Sequence, residues 1–267
     1  MLSAAAIDAP PPAPRRIRLL GGEVDLVTAA EVMDFIAARV ASGRGGVVAN
    51  HNLHSLHLQR RSEGMRRFYE LADLIEADST PMIAWGKLLG LPISRRHRCT
   101  YLDWREAFWA RAASNGWRVF YLGGAPGVAA KGAAAVRERQ PGVRIEVSDG
   151  YFDAAPGSAD NCARLERIAA FGTQVLLVGM GMPRQEQWIL DHAGALAGYV
   201  VLPVGAAFDY EAGAAPTPPR WMGAVGLEWA FRFASEPRRL FTRYFLEPWS
   251  LIPAAAHDIR AACAGLR

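Results

Sequence analysis

Lysine is nearly missing from this chain of 267 residues: of 30 basic residues, only Lys87 and Lys131 are not arginine. Cysteine is scarce as well. Cys99, Cys162 and Cys263 stand far apart with no C-x-x-C spacing, which excludes a disulfide scaffold and argues against a closed cysteine zinc site. Reduced thiols in a cytosolic setting are the expectation. Long apolar runs are lacking too. The longest uncharged stretches towards the C-terminal half, 169–183 and 193–208, reach at most 16 residues and contain Gly and Pro. A spanning helix needs roughly 20 residues, so both read as buried strands with flanking turns. At the N-terminus Arg15, Arg16 and Arg18 follow a small-residue run and a proline cluster at 10–14, the reverse of a signal peptide's order. Residues 1–16 are therefore expected to form a mobile lead-in to a protein made and kept in the cytosol. Internal repeats are not found.

With 51% hydrophobic and 21% charged residues, the chain has ample material for a core and is not a disordered polymer. The net charge of +4 is unevenly spread. From Arg220 to Arg267 seven arginines face four acids, Glu228, Glu236, Glu247 and Asp258, so this tail carries three of the four excess charges. A GC-rich genome would also favour arginine over lysine. Arginine nevertheless has its own chemistry, because the planar guanidinium pairs bidentately with phosphate and stays charged when partly buried.

Short apolar runs alternate with amphipathic stretches between about 17 and 250. Strands are expected at 45–50, 73–78, 117–124, 143–150, 173–181 and 198–208, and helices at 54–72, 100–116, 126–140, 158–171 and 184–194. This alternation predicts an α/β fold: a Rossmann-like, mostly parallel sheet with helices on both faces. After Phe208 the composition shifts. Three prolines in 212–223 lead into an aromatic and arginine-rich helical appendage, interrupted at Pro237. The expected division is a lead-in at 1–16, a core at 17–219 and an appendage at 220–267. The appendage reads either as a helix packed on the sheet or as a lid that meets an anionic ligand or membrane headgroups.

Three constellations could carry chemistry. Gly123 and Gly124 lie in YLGGAPG (121–127), between a strand and a helix, where free N–H groups and the helix dipole suit a phosphate; an ordinary strand-to-helix turn has the same look. In VGMGMPRQEQWI (178–189) a buried strand ends at Gly179 and delivers Arg184, Gln185 and Glu186 at a helix start. That is where ligands bind in parallel sheets, although helix capping by Glu186 would also explain the pattern. Asp78 ends the strand in DLIEADSTP (73–81), as a general base or as a turn and cap residue. His51, His54 and His57 recur every third residue. Without an accompanying carboxylate motif this spacing suits a helix surface better than a metal site.

The order of these segments carries more than each alone. Asn-x-Asn (50–52), Leu-Gly-Gly-x-Pro-Gly (122–127), Gly-Tyr-Phe (150–152) and Val-Gly-Met-Gly-x-Pro-x-Gln-Glu-x-Trp (178–188) are followed by Gly-Leu-Glu-Trp-x-x-Arg (226–232), Glu-Pro-x-Arg-Leu (236–240) and Arg-Tyr (243–244). The set resembles the WecG/TagA/CpsF glycosyltransferases (family 26) over roughly 20–248. The resemblance implies an inverting, metal-independent transfer without cofactor, from a UDP-sugar donor to a lipid-linked acceptor, a sugar on polyprenyl diphosphate. It implies that Asp78 is the base, that Asn52 matches a family Asn and that Asn50 stands where a Thr is common. It further implies nucleotide contact by Gln185, and a meeting of Arg232, Arg239 and Arg243 with the diphosphate and an anionic membrane surface. Departures are Ser79, where Asp-Gly is usual, and Tyr101 in RCTYLDW (98–104), where a Gly is frequent.

The RCTYLDW variant looks like the exopolysaccharide branch, xanthan- or acetan-type, which favours glucose as the transferred sugar. A peripheral position on the cytoplasmic face of the inner membrane and a homo-oligomer that hides the appendage are implied with it. Transfer of N-acetylmannosamine or its uronic acid is the alternative within the family. From other classes, a dinucleotide-dependent oxidoreductase would use the 123–127 turn with Asp149, and a non-catalytic membrane- or nucleic-acid-binding module would use the basic tail. The family reading implies no nucleic acid partner.

Overall fold

A computed structural model describes residues 14–265, apart from the side chains of residues 220, 224 and 225. Strands β1 (Arg16–Leu19) and β2 (Gly22–Asp25) form an antiparallel hairpin. The main sheet comprises β3 (Gly46–His51), β4 (Leu74–Ala77), β5 (Arg118–Gly123), β6 (Arg144–Ser148), β7 (Val175–Gly179) and β8 (Val200–Pro203). Its order is β4-β3-β8-β7-β5-β6 and every pairing is parallel. The fold is α/β, as expected.

The strands are short, apolar and β-branched because both faces are covered. Period-two alternation divides them cleanly. Ala49, Ile75, Phe120, Leu122, Leu176 and Val178 pack on one face with Phe68, Trp188 and Leu251. Val48, Leu74, Tyr121, Leu177 and Leu202 pack on the other with Met33, Trp109 and Phe208. Tyr121 and Phe208 stack with ring centroids 3.7 Å apart.

Several boundaries differ from the sequence reading. The single helix expected over 54–72 is two, Leu53–Arg61 and Glu63–Leu71. Ser62 separates them in an extended conformation, its N–H closing the first helix on Leu58 and its hydroxyl capping the second at Met65. The strand expected over 198–208 stops at Pro203, and Ala207–Glu211 is helical. The 184–194 helix divides at His192. The hairpin and the helices Ala29–Ala41 and Thr80–Leu88 were not anticipated. Residues 1–13 of the expected lead-in lie outside the described residues, and Arg16 already begins β1.

Beyond β8 the chain forms helices Arg220–Val225, Glu228–Ser235 and Pro237–Phe241, a π turn at Thr242–Leu246, a 3-10 turn at Glu247–Leu251 and helix Ile252–Cys263. Pro237 sits at the first position of its helix, where a missing N–H costs nothing. Among the described residues no helix is long and apolar enough to cross a membrane. The last helix is anchored to the start of the chain. Leu20 and Gly21, both at positive φ, make the tight turn of the β1–β2 hairpin. The buried carboxylate of Asp258 accepts from the Leu20 N–H at 2.8 Å and from the Trp85 indole N–H at 3.1 Å.

Asp258→Ala leaves two inward-facing donors without that acceptor and should cost about 2–4 kcal/mol of stability. Its solvent-exposed neighbour Arg260→Ala should stay within about 0.5 kcal/mol. Denaturant midpoints for the two variants check this.

Candidate active site

The carboxyl ends of all six parallel strands open on one edge of the sheet, and there the chain leaves β5 towards β6 but leaves the adjacent β7 in the opposite direction, towards β8. Such a reversal creates a crevice. A cavity of about 630 Å³ occupies this edge, lined by Asn50, Asp78, Gly124, Gly179, Gln185 and Arg232 among others. A second cavity of about 300 Å³ lies beside it under the C-terminal segment. The two share Asn52, His54, Asp78, Glu228, Arg232 and Arg243.

Asp78 follows β4 directly. Its N–H donates to the His51 carbonyl at 2.8 Å, which continues the β3–β4 ladder by one residue and fixes the carboxyl at the junction of the cavities. Burial pushes its pKa up to about 7, and it is held from rising further by the guanidinium groups of Arg98, Arg232 and Arg243. Burial and the neighbouring Arg232 push the Arg243 pKa down. Both guanidinium groups act on Asp78, while Glu236 lies near Arg232 and Glu247 near Arg243.

Arg98 was not singled out from the sequence. It reaches the site because residues 98–99 run alongside the end of β4, with Cys99 N–H on the Ala77 carbonyl at 3.0 Å. Its guanidinium pairs with Glu228 and, at 3.3 Å, with Asp103, so it ties the C-terminal segment to the core beside Asp78. No local pattern in RCTYLDW signals this pairing across 130 residues.

The other expected residues have distinct placements. Asn50 lines the larger cavity and donates from Nδ2 to the Pro203 carbonyl at 2.9 Å. Asn52 caps helix Leu53–Arg61 by accepting from Ser55 N–H at 3.0 Å, and Arg243 approaches the same oxygen at 3.5 Å. Gly124 and Gly179 line the cavity. Gly123 is buried and is not among the cavity-lining residues: its Cβ would stand 2.4 Å from the Gly179 carbonyl, so glycine is required there by the close approach of β5 and β7. Close packing against β7 accounts for the glycine at this position.

Arg184 lies at the cavity edge with its guanidinium on the Phe152 carbonyl at 2.8 Å. Gln185 lines the cavity, but its amide is already engaged. Its oxygen accepts from Gly181 N–H and Gly205 N–H, both at 3.2 Å, and its nitrogen donates to Glu186 at 2.7 Å. Gln185 therefore ties the loops after β7 and β8 together. Glu186 is 1% exposed and does not line the cavity; burial raises its carboxyl to about 7. Arg239 lines the larger cavity and pairs with Glu236 at 2.8 Å.

Tyr101 lines the cavity too, its hydroxyl donating to Glu211 at 2.6 Å and accepting from Trp109 at 3.1 Å. The three histidines do not converge. His51 is bonded to Ser55, His54 to Glu247 and His57 to Ser250. Among the described residues no group of three His, Cys, Asp or Glu side chains is gathered as a metal would require.

The family model of the glycosyl transferase WecG/TagA/CpsF family matches residues 17–262, nearly the whole described chain. The chain belongs to the WecG/TagA/CpsF family of glycosyl transferases. Members act on lipid-linked sugars, with nucleotide-sugar donors in general. This decides for a transferase over the oxidoreductase reading of the 123–127 turn. Asp149, which that reading required as a ribose acceptor, instead accepts from the Tyr151 N–H at 3.1 Å in a local turn.

A carboxyl raised from the ordinary range to about 7 opposes folding more as the pH rises through 7, because the unfolded chain ionises it without burial. Asp78→Asn should therefore stabilise this glycosyltransferase by about 1–3 kcal/mol at pH 8, and by clearly less at pH 5. Thermal melts at the two pH values check the sign and the difference.

Proposed function

We propose that the protein transfers a hexose, glucose in first place, from a UDP-sugar to a sugar carried on polyprenyl diphosphate, with inversion, in exopolysaccharide biosynthesis. The observation that carries this reading is the position of Asp78 where the two cavities meet, with Arg232 and Arg243 lining both. The larger cavity takes the donor. Its sheet-edge walls, Gly124, Gly179 and the loop held by Gln185, bring backbone close to the nucleotide and diphosphate. The smaller cavity has the aromatic rim Trp229, Tyr244 and Phe245 and takes the lipid-linked acceptor.

The reaction is a single in-line displacement. The Asp78 carboxylate takes the proton of the acceptor hydroxyl, whose oxygen forms the new bond to the anomeric carbon from the face opposite the leaving group. The bond from that carbon to the β-phosphate oxygen breaks, and UDP departs with the electron pair. Arg232 and Arg243, with Arg239 at the cavity wall, supply positive charge where the diphosphate gains negative charge. Asn50 and Asn52, fixed by Pro203 and Ser55, keep the β3 end in place beside the base.

The outer surface of the C-terminal segment supports a peripheral position on the cytoplasmic face of the inner membrane. Trp221, Trp229, Phe241, Phe245 and Trp249 are exposed there beside arginines, a composition that suits an anionic headgroup region. In a homo-oligomer the same aromatic surface would be the one covered.

The test is a donor screen. UDP-glucose, UDP-galactose and UDP-N-acetylmannosamine are offered with glucosyl-diphosphoprenol in vesicles, and UDP release is followed. UDP-glucose should be turned over fastest; a preference for UDP-N-acetylmannosamine would move the protein to the other branch of the family. Asp78→Asn should lower kcat about 10²- to 10⁴-fold, and Arg243→Ala about 10- to 10³-fold. Unchanged turnover in either variant would remove that residue from the mechanism.

A further inference from the structure

Asp78 is not the only carboxyl on the cavity wall. Glu76 lies two residues earlier on β4, is 3% exposed and lines the larger cavity but not the smaller one. In a protein interior a carboxyl is kept only if it is paired or used. Among the described residues nothing lies within full hydrogen-bond geometry of Glu76 Oε1 or of the Trp104 indole N–H, although the indole N–H faces the carboxyl in the same wall closely enough to favour its charged form. Across the sheet Glu76 is in register with Asn50, whose side chain also faces the cavity. Val48, Cys99, Tyr101 and Leu202, apolar or already bonded, line the same cavity, and the carboxyls of Asp78 and Asp103 lie near enough to act on Glu76.

Such a wall, an aromatic and aliphatic surface holding a few unsatisfied polar atoms, is what a sugar ring requires: its C–H faces pack on the apolar side chains and its hydroxyls pair with the polar atoms. Along a strand, residues i and i+2 are about 7 Å apart, close to the length of one hexose ring. A hexose with its anomeric carbon at Asp78 therefore places a ring hydroxyl at Glu76.

We propose that Glu76 determines donor specificity, its buried carboxyl and the Trp104 indole N–H pairing with one hydroxyl of a neutral hexose on the donor. This rests on the donor reading of the larger cavity. Burial, with Asp78 and Asp103 nearby, holds the Glu76 carboxyl protonated well above the ordinary range, so it can both donate and accept. A neutral acid in this place also disfavours a uronic acid, whose carboxylate would need its own counter-charge there.

The experiment uses the full-length protein and the UDP-hexose it turns over fastest, together with the monodeoxy analogues of that donor. The wild type should reject one analogue by about 10- to 100-fold in kcat/KM, since the lost hydroxyl leaves Glu76 and Trp104 unpaired. Glu76→Leu should abolish that preference, raise the donor KM and leave the acceptor KM unchanged. Glu76→Gln should restore most of the preference. Without ligand, Glu76→Leu should melt no lower than the wild type, because an unpaired buried carboxyl is replaced by an apolar group.

A Glu76→Leu variant that melts lower, or that rejects the same analogue as strongly as before, would make Glu76 a structural partner of Trp104 and overturn the assignment. A change confined to the acceptor KM would overturn the donor side of it. A wild type that turns over no UDP-hexose would overturn the donor reading itself, and the role of Glu76 with it; a wild type that does so, with Glu76→Leu unaltered, overturns only the latter.

Discussion

Everything at this site depends on one carboxyl held away from water at the end of a buried strand. Asp78 can neither be removed to solvent nor fully neutralised where it stands: the β3–β4 ladder fixes its backbone, and burial lifts its pKa to about 7. Three arginines prevent that rise from going further. The balance matters because a base must be ionised often enough to act yet basic enough to accept a proton. Burial alone would keep Asp78 protonated, and full pairing with arginine would make it a poor acceptor.

Two of those arginines come from the C-terminal segment, so the site is complete only when that segment is docked. The docking contacts are spread along the segment. Glu228 meets Arg98, Glu247 meets His54, Ser250 meets His57, Leu251 joins the core and Asp258 holds the hairpin turn. Apolar anchorage dominates at Leu251 and polar anchorage nearer the active site. Polar contacts and the buried Leu240 hold the part where Arg232 and Arg243 enter the cavities.

The parallel sheet was legible because strands covered on both faces read as short apolar runs, and those around β3, β5 and β7 are unmistakable. Asp78 and Asn50 were legible as strand-end residues for the same reason. What was missed depends on distance along the chain. Arg98 reaches Glu228, Tyr101 reaches Glu211 and Asp258 reaches Leu20, and no local periodicity encodes such pairs. Glu76 was hidden differently: in sequence it is one polar residue in an apolar strand, and only the cavity beside it gives that position a meaning. Gln185 and Gly123 were noticed for their motifs, yet their places are explained by loop and strand packing.

The central claim is that Asp78, tuned between burial and arginine, removes the acceptor's proton. The pH dependence of kcat/KM for glycosyl transfer, taken from about pH 3 to 9, tests it most directly. Activity should rise with pH and level off through an inflection near 7, the value to which burial lifts Asp78, and a conservative Arg243→Lys change should shift that inflection. An inflection near 4, or a flat profile over this range with chemistry rate-limiting, would contradict it.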